Sequence, residues 1–130
     1  MHKAFIKTAT YLGALAVIFG AFGAHKLKDF ATPAILATFE TAVRYQFYHV
    51  FALLFTALIY KEFPVKLIQI AGKLFIAGMA VFSGSLYVMT GLFIAGFDQF
   101  KWIGAITPIG GLLLVTAWIC LAVGIKKHTL

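Results

Sequence analysis

An all-α integral membrane protein, with four transmembrane helices in an up-and-down bundle, is the fold class predicted by three observations. Composition comes first: of 130 residues 62% are hydrophobic and 12% charged, against about 45–50% and about 25% in soluble domains. Mean hydropathy is +0.98, and a single small domain cannot hide that much apolar surface from water. The second observation is four nearly charge-free apolar runs, each near the roughly 20 residues that carry a helix across a bilayer. The third is their continuity. Barrel strands alternate over about ten residues, whereas continuous apolar runs in lipid must close their own backbone hydrogen bonds as helices. The 14 Phe residues and abundant aliphatics exclude disorder, and a single Cys excludes a disulfide scaffold.

The spans fall at about 8–25, 43–60, 72–97 and 102–125 within one domain, 1–130. Lys3 and Lys7, an apolar run and the small residues Ala21-Phe-Gly23 also resemble a secretory signal with its cleavage site. Three later spans favour a retained first helix. After His25 comes a longer connection in which Thr32-Pro33 reads as a helix start, Thr as N-cap and Pro at the first helical position. Ile35, Leu36, Phe39 and Val43 then form an amphipathic stripe, and Glu40 leads Arg44 by four residues, the favourable order for a pair. This amphipathic segment either lies at the interface or continues into the second span. With no Gly or Pro between Ala34 and Phe63, a bent or continuous helix from Pro33 to about Tyr60 is expected. The tight connection at Asp98-Gln-Phe-Lys101 makes the last two helices an antiparallel hairpin, and Pro108 is expected to put a static kink in the fourth.

Charge bears on orientation more than on ligands. With both termini inside, the inner side carries Lys3, Lys7, Lys61, Lys66, Lys73, Lys126 and Lys127, and the outer side Lys26, Lys28, Arg44 and Lys101. That bias follows the positive-inside rule, and predicts an N-in, C-in, multi-pass topology. The net charge of +7 is scattered over separate loops, which offers no stripe for a phosphate backbone, so nucleic acid is not an expected partner. Membrane lipid is, with Lys126-Lys127 against anionic headgroups. Tyr11, Tyr60 and Trp102 near span ends fit an aromatic belt.

Polar residues within the bilayer are the candidates for chemistry, because they are costly there and face the protein interior. On the second helix Thr38, Tyr45, His49 and Thr56 share one direction, Gln46 borders it, and Glu40 and Arg44 point away. The candidate polar cluster is His25, Glu40, Tyr45, Gln46 and His49, with His25 at a depth similar to His49 in an antiparallel pair. It reads either as a wet face for protons, solutes or headgroups, or as interhelical hydrogen bonding. Neither a metal nor a cofactor is expected, since His25, Glu40 and His49 lack the compact spacing of helical ligand motifs. No catalytic set or phosphate loop is present, so an enzyme is not expected, and the lone Cys120 reads as an inert apolar thiol. Small residues suggest tight packing: Gly13, Ala16, Gly20 and Gly23 on the first helix, Ala80, Gly84 and Gly91 on the third, Gly104, Thr107 and Gly111 beside Gly110 on the fourth. Ser83, Ser85 and Thr107 are expected to satisfy the carbonyl that Pro108 frees. Such faces also allow a homo-oligomer.

Gly20-Ala-Phe-Gly-Ala-His25, Tyr45-Gln46 with His49, Phe82-Ser-Gly-Ser-Leu-Tyr87 and Gly104-Ala-Ile-Thr-Pro-Ile-Gly-Gly111 together resemble the YgdD/YwdK-type family of small bacterial inner-membrane proteins, to which a small eukaryotic transmembrane protein is related. The resemblance covers nearly the whole chain and departs at Val50, where the family pattern has Ala, and at Ala117, where it has Gly. It implies four transmembrane helices in a bacterial plasma membrane and no activity, the family being uncharacterised. The function expected is that of a non-enzymatic helical scaffold or accessory protein. The alternative is a small-solute or proton transporter, or a lipid-binding protein, using the His25, Glu40 and His49 region.

Overall fold

The computed structural model describes the backbone of residues 1–129 and side chains as far as Lys126. Lys127, counted above among the inner cations, lies outside the described side chains. Four α-helices follow one another: α1 (Lys3–His25), α2 (Pro33–Ile59), α3 (Lys66–Ile94) and α4 (Thr107–Thr129), with 3₁₀ turns at Leu27–Asp29 and Lys101–Ala105. All four are long and apolar enough to cross a membrane.

Contacts along the helices alternate their direction. The start of α1 meets the end of α2, where His2 N–H donates to the Ala57 carbonyl at 2.9 Å, and Gly23 near the end of α1 meets Phe39 near the start of α2. Ser83 of α3 reaches Ala42 of α2, while Gly110 and Gly124 of α4 lie against Phe82 and Ile68 of α3. The result is an up-and-down bundle with α2 and α3 at the centre, α1 flanking α2 and α4 flanking α3. The core follows from that order: Phe5, Ala9, Val50, Leu53, Ile68, Phe75, Met79, Leu114 and Ala117 are all buried together.

The helix ends obey local chemistry. Thr32 Oγ1 accepts from Ile35 N–H at 3.3 Å, so Thr-Pro starts α2 as its cap and first position. No break follows before Ile59, which makes the amphipathic segment the first half of one continuous helix. At α1 the cap is His2, whose Nδ1 accepts from Phe5 N–H at 3.4 Å while its ring stacks on Phe5 and meets Tyr60 edge-on. Tyr60 is therefore tied into the bundle, and its hydroxyl also accepts from Gln69. α3 ends at Gly96, whose φ of +84° lets Phe97 N–H reach the Leu92 carbonyl and Gly96 N–H the Phe93 carbonyl. That is the paired closure of a helix ended by glycine.

Two expectations are corrected. Pro108 does not kink a helix running from 102. Residues Lys101–Ala105 form a 3₁₀ turn and α4 begins at Thr107, so Pro108 occupies the first turn. A missing N–H costs nothing there, because the first turn of a helix has no intrahelical acceptor for it. The Gly104 carbonyl is accordingly not displaced from an α-helical bond. Gly84 and Gly91 do not mark close crossings either: a Cβ on either would meet nothing within 4 Å. The close approaches of α3 are at Gly72, beneath Phe5, and Gly78, beneath Leu114.

Candidate functional site

α2 is packed on two sides, so it buries two adjacent stripes. Phe39, Val43 and Val50 face the small residues Gly23, Gly20 and Gly13 of α1. Ala42, Tyr45 and His49 face Ser83, Phe82 and Phe75 of α3. The polar residues divide between these stripes, and the direction through Thr38, Tyr45, His49 and Thr56 is buried in part: His49 and Thr56 are buried and Thr38 is half-buried. Gln46 is buried, while Tyr45 remains 39% exposed.

Gln46 lies at the seam of three helices. Its Nε2 donates to the Leu12 carbonyl of α1 at 2.8 Å, and its Oε1 accepts from the Tyr87 hydroxyl of α3 at 2.7 Å. One amide thus links α1, α2 and α3 with a donor and an acceptor both used. Tyr87 is held edge-on by Phe19 and also packs on Phe39, which fixes the hydroxyl toward Gln46.

His49 is buried at the meeting of α2, α3 and α4. Its Nδ1 is 2.7 Å from the Tyr45 carbonyl, and the Trp118 indole N–H donates to its Nε2 at 3.3 Å. A carbonyl can only accept and an indole N–H can only donate. The proton therefore resides on Nδ1, and Nε2 presents its lone pair to Trp118. Phe75 packs on both rings, and Trp118, 46% exposed, covers His49 on the outer side.

Hydroxyls complete the interhelical bonding. Ser83 Oγ donates to the Ala42 carbonyl at 2.7 Å. Ser85 Oγ donates to Phe82 O at 2.9 Å and lies 2.7 Å from Thr107 Oγ1. Because a serine has one hydroxyl hydrogen, Thr107 is the donor to Ser85, which fastens the start of α4 to α3. These serines bond a carbonyl of α2, a carbonyl of their own helix and a hydroxyl, not the carbonyl before Pro108.

The remaining members of the cluster are not brought together. His25 is exposed at the end of α1. Glu40 and Arg44 line a groove of about 410 Å³ between α1 and α2, with Gly20, Gly23 and Val43 as its other walls. Among the described residues no group of three His, Cys, Asp or Glu side chains converges. Of the small residues expected at crossings, Gly110 makes the tightest contact, its Cβ position falling against the backbone of Phe82, whereas Gly111 is in ordinary contact with the Phe82 ring.

Tyr87, Trp118 and Thr90 were not singled out from the sequence. Trp118 carried a usable signal: a tryptophan deep in a span, away from the interface that usually holds it, needs a partner for its N–H. Thr90 is 3% exposed and its hydroxyl has no hydrogen-bond partner, which no pattern in the sequence could show.

Four antiparallel spanning helices, short connections and polar side chains bonded across the bundle define a small polytopic α-helical membrane protein. More particularly, the chain belongs to the family described as a protein of unknown function (DUF423), which matches residues 19–111. It is 35% identical over 127 residues to the UPF0382 membrane protein YwdK of Bacillus subtilis (strain 168), covering 97% of this chain and 98% of that one. It is 38% identical over 125 residues to the UPF0382 membrane protein SAB0533 of Staphylococcus aureus (strain bovine RF122 / ET3-1), covering 96% and 97%. No solved structure matches the chain. The family resemblance read from the four glycine- and aromatic-rich motifs is thereby established, and none of these names is that of an enzyme.

Proposed function

We propose that this protein is a non-enzymatic helical scaffold or accessory protein of the bacterial plasma membrane, lying N-in and C-in. The observation that carries this reading is the engagement of Gln46 and His49 in hydrogen bonds within the bundle. Gln46 uses its donor and acceptor between Leu12 and Tyr87, and His49 uses both ring nitrogens between Tyr45 and Trp118. A proton or solute path needs such groups facing a shared wet space with bonding capacity left over. Here one donor and one acceptor of Gln46 and both ring nitrogens of His49 are engaged within the bundle, and His25, Glu40 and His49 do not converge. The orientation is supported by the gathering of Lys3, Lys7, Lys61, Lys66, Lys73 and Lys126 at one end, against Lys26, Lys28, Arg44 and Lys101 at the other.

A second copy or a partner helix would meet the outer surfaces of the flanking helices, where Val17, Ile18, Leu112, Val115 and Ile119 are exposed. Gly20, Gly23 and Gly110 face neighbouring helices of the same chain. The test is ¹⁵N NMR of ring-labelled histidine in lipid. His49 is expected to keep one Nδ1–H signature from about pH 5 to pH 8, the range in which an unconstrained imidazole changes charge. A His49 resonance that titrates together with bound water would overturn the scaffold in favour of the transporter.

A further inference from the structure

α1 and α3 both pack on α2 and meet each other through Phe5 on Gly72 and Phe19 on Tyr87, and between them runs a cleft whose floor is α2. Its lower part, about 250 Å³, is walled by Leu12, Leu15, Ile76 and Gly84, with Gln46 and Tyr87 at its base. Its upper part, about 350 Å³, is walled by Phe22, Leu27, Phe30, Thr90 and Gly91. Phe19 and Tyr87 line both parts, and their edge-on ring contact stands between the two. From Ile76 to Thr90 the cleft follows α3 for about 21 Å at 1.5 Å per residue. One leaflet's hydrocarbon is about half of a 30 Å core, so an acyl chain lying along both parts, over the Phe19–Tyr87 contact, reaches the level of its ester linkage.

Three further features specify the occupant. Gly84 and Gly91, with nothing within 4 Å of their Cβ positions, leave the α3 wall open to the width of a hydrocarbon chain. Thr90 has a buried hydroxyl without a partner, although Thr38, Thr41, Thr56 and Thr116 each donate to the carbonyl four residues back. A buried hydroxyl of this kind is stabilised by an acceptor from outside the chain. Lys26 and Lys28 are exposed on either side of buried Leu27 at the cleft's upper mouth, which places positive charge where a headgroup would lie.

We propose that the α1–α3 cleft is a specific site for one acyl chain of an anionic glycerophospholipid, with its ester carbonyl accepting from Thr90 Oγ1 and its phosphate against Lys26 and Lys28. The site is remote from His49 and does not depend on the scaffold reading.

Native mass spectrometry of the full chain released from detergent would test it, with phosphatidylglycerol and phosphatidylcholine of identical chains as probes. Wild type is expected to retain one phosphatidylglycerol, at least about 5-fold more than phosphatidylcholine. Gly91→Leu and Gly84→Leu, with melting matched to wild type, should lose that retention at least about 10-fold, and Thr90→Val should weaken it about 2–10-fold, the worth of one hydrogen bond. Lys26→Gln with Lys28→Gln should abolish the headgroup preference while leaving chain retention. In case the leucine variants fail to fold, phosphatidylglycerol with a diazirine in its acyl tail should cross-link wild type at Leu15, Ile76 or Met79. Unchanged retention in folded Gly84→Leu and Gly91→Leu, or cross-links distributed equally over Val115 and Ile119 of α4, would overturn the site.

Discussion

The Gln46 amide shows how much a single polar side chain can organise when lipid supplies no hydrophobic drive between helices. Substituting Leu would strand the Tyr87 hydroxyl in the packed interior, where it has lost its acceptor. Gln46→Leu is expected to lower stability by about 1–2 kcal/mol, and Tyr87→Phe by less, since the amide keeps its bond to Leu12. Denaturant unfolding in detergent measures both, and the double variant should cost less than the sum of the singles because both remove one shared bond. His49 differs in being saturated on both sides of its ring. The nitrogen partners explain how an imidazole is tolerated in the buried seam, and they explain why a tryptophan stands where lipid would otherwise touch it.

Helix packing turns on which glycines meet a neighbour's backbone. Gly110 faces Phe82 main-chain atoms, which cannot move aside as a side-chain tip can. Gly110→Ala should therefore destabilise by about 1–3 kcal/mol, as overpacking does, whereas Gly84→Ala should stay within about 0.5 kcal/mol. Thermal melting of the two variants in one detergent checks this, and equal losses would show that α3 and α4 are packed in another register. At the end of α3 the left-handed Gly96 makes a separate expectation. Gly96→Ala should cost about 1–2 kcal/mol, because a Cβ crowds the carbonyl in that conformation. Hydrogen exchange at Gly96 and Phe97 amides would read the loosening where it occurs.

For the molecule in its bilayer, orientation is the property with the widest consequences, since it decides which leaflet the Lys26 and Lys28 end meets. On a Cys120→Ser background, a membrane-impermeant maleimide applied to intact cells should label Gln99→Cys and spare Glu62→Cys. The reverse pattern would put both termini outside. The same architecture accounts for the uneven burial of the helices. α2 and α3 have neighbours on two sides and bury more of their surface, though Phe51 and Val88 still face outward, while α1 and α4 present Tyr11, Val17, Leu112 and Val115, as flanking helices solvated by acyl chains must.

Composition and hydropathy by themselves determined a membrane protein of four helices, because the bilayer fixes the length and polarity of anything that crosses it. Local chemistry was equally legible: Thr32-Pro33 starts a helix wherever it is placed, so the continuity of α2 from Pro33 was readable from one cap and the absence of breakers. The family, too, could be read from short motifs. Rotation about each helix axis was not, since it depends on which neighbours press from which sides. The stripe through Tyr45 and His49 was a sound helical projection, and His49 and Thr56 on it are buried, but with α1 and α3 both seated on α2 the buried surface widens to take in Gln46 and leaves Tyr45 part-exposed. Gly84 and Gly110 are alike as sequence, and only the packed bundle gives one an open cleft and the other the backbone of Phe82. The cross-helix partners of Gln46 and His49 lie 34 to 69 residues away along the chain. Contacts of that span are settled by tertiary packing, because no local rule connects residues so far apart.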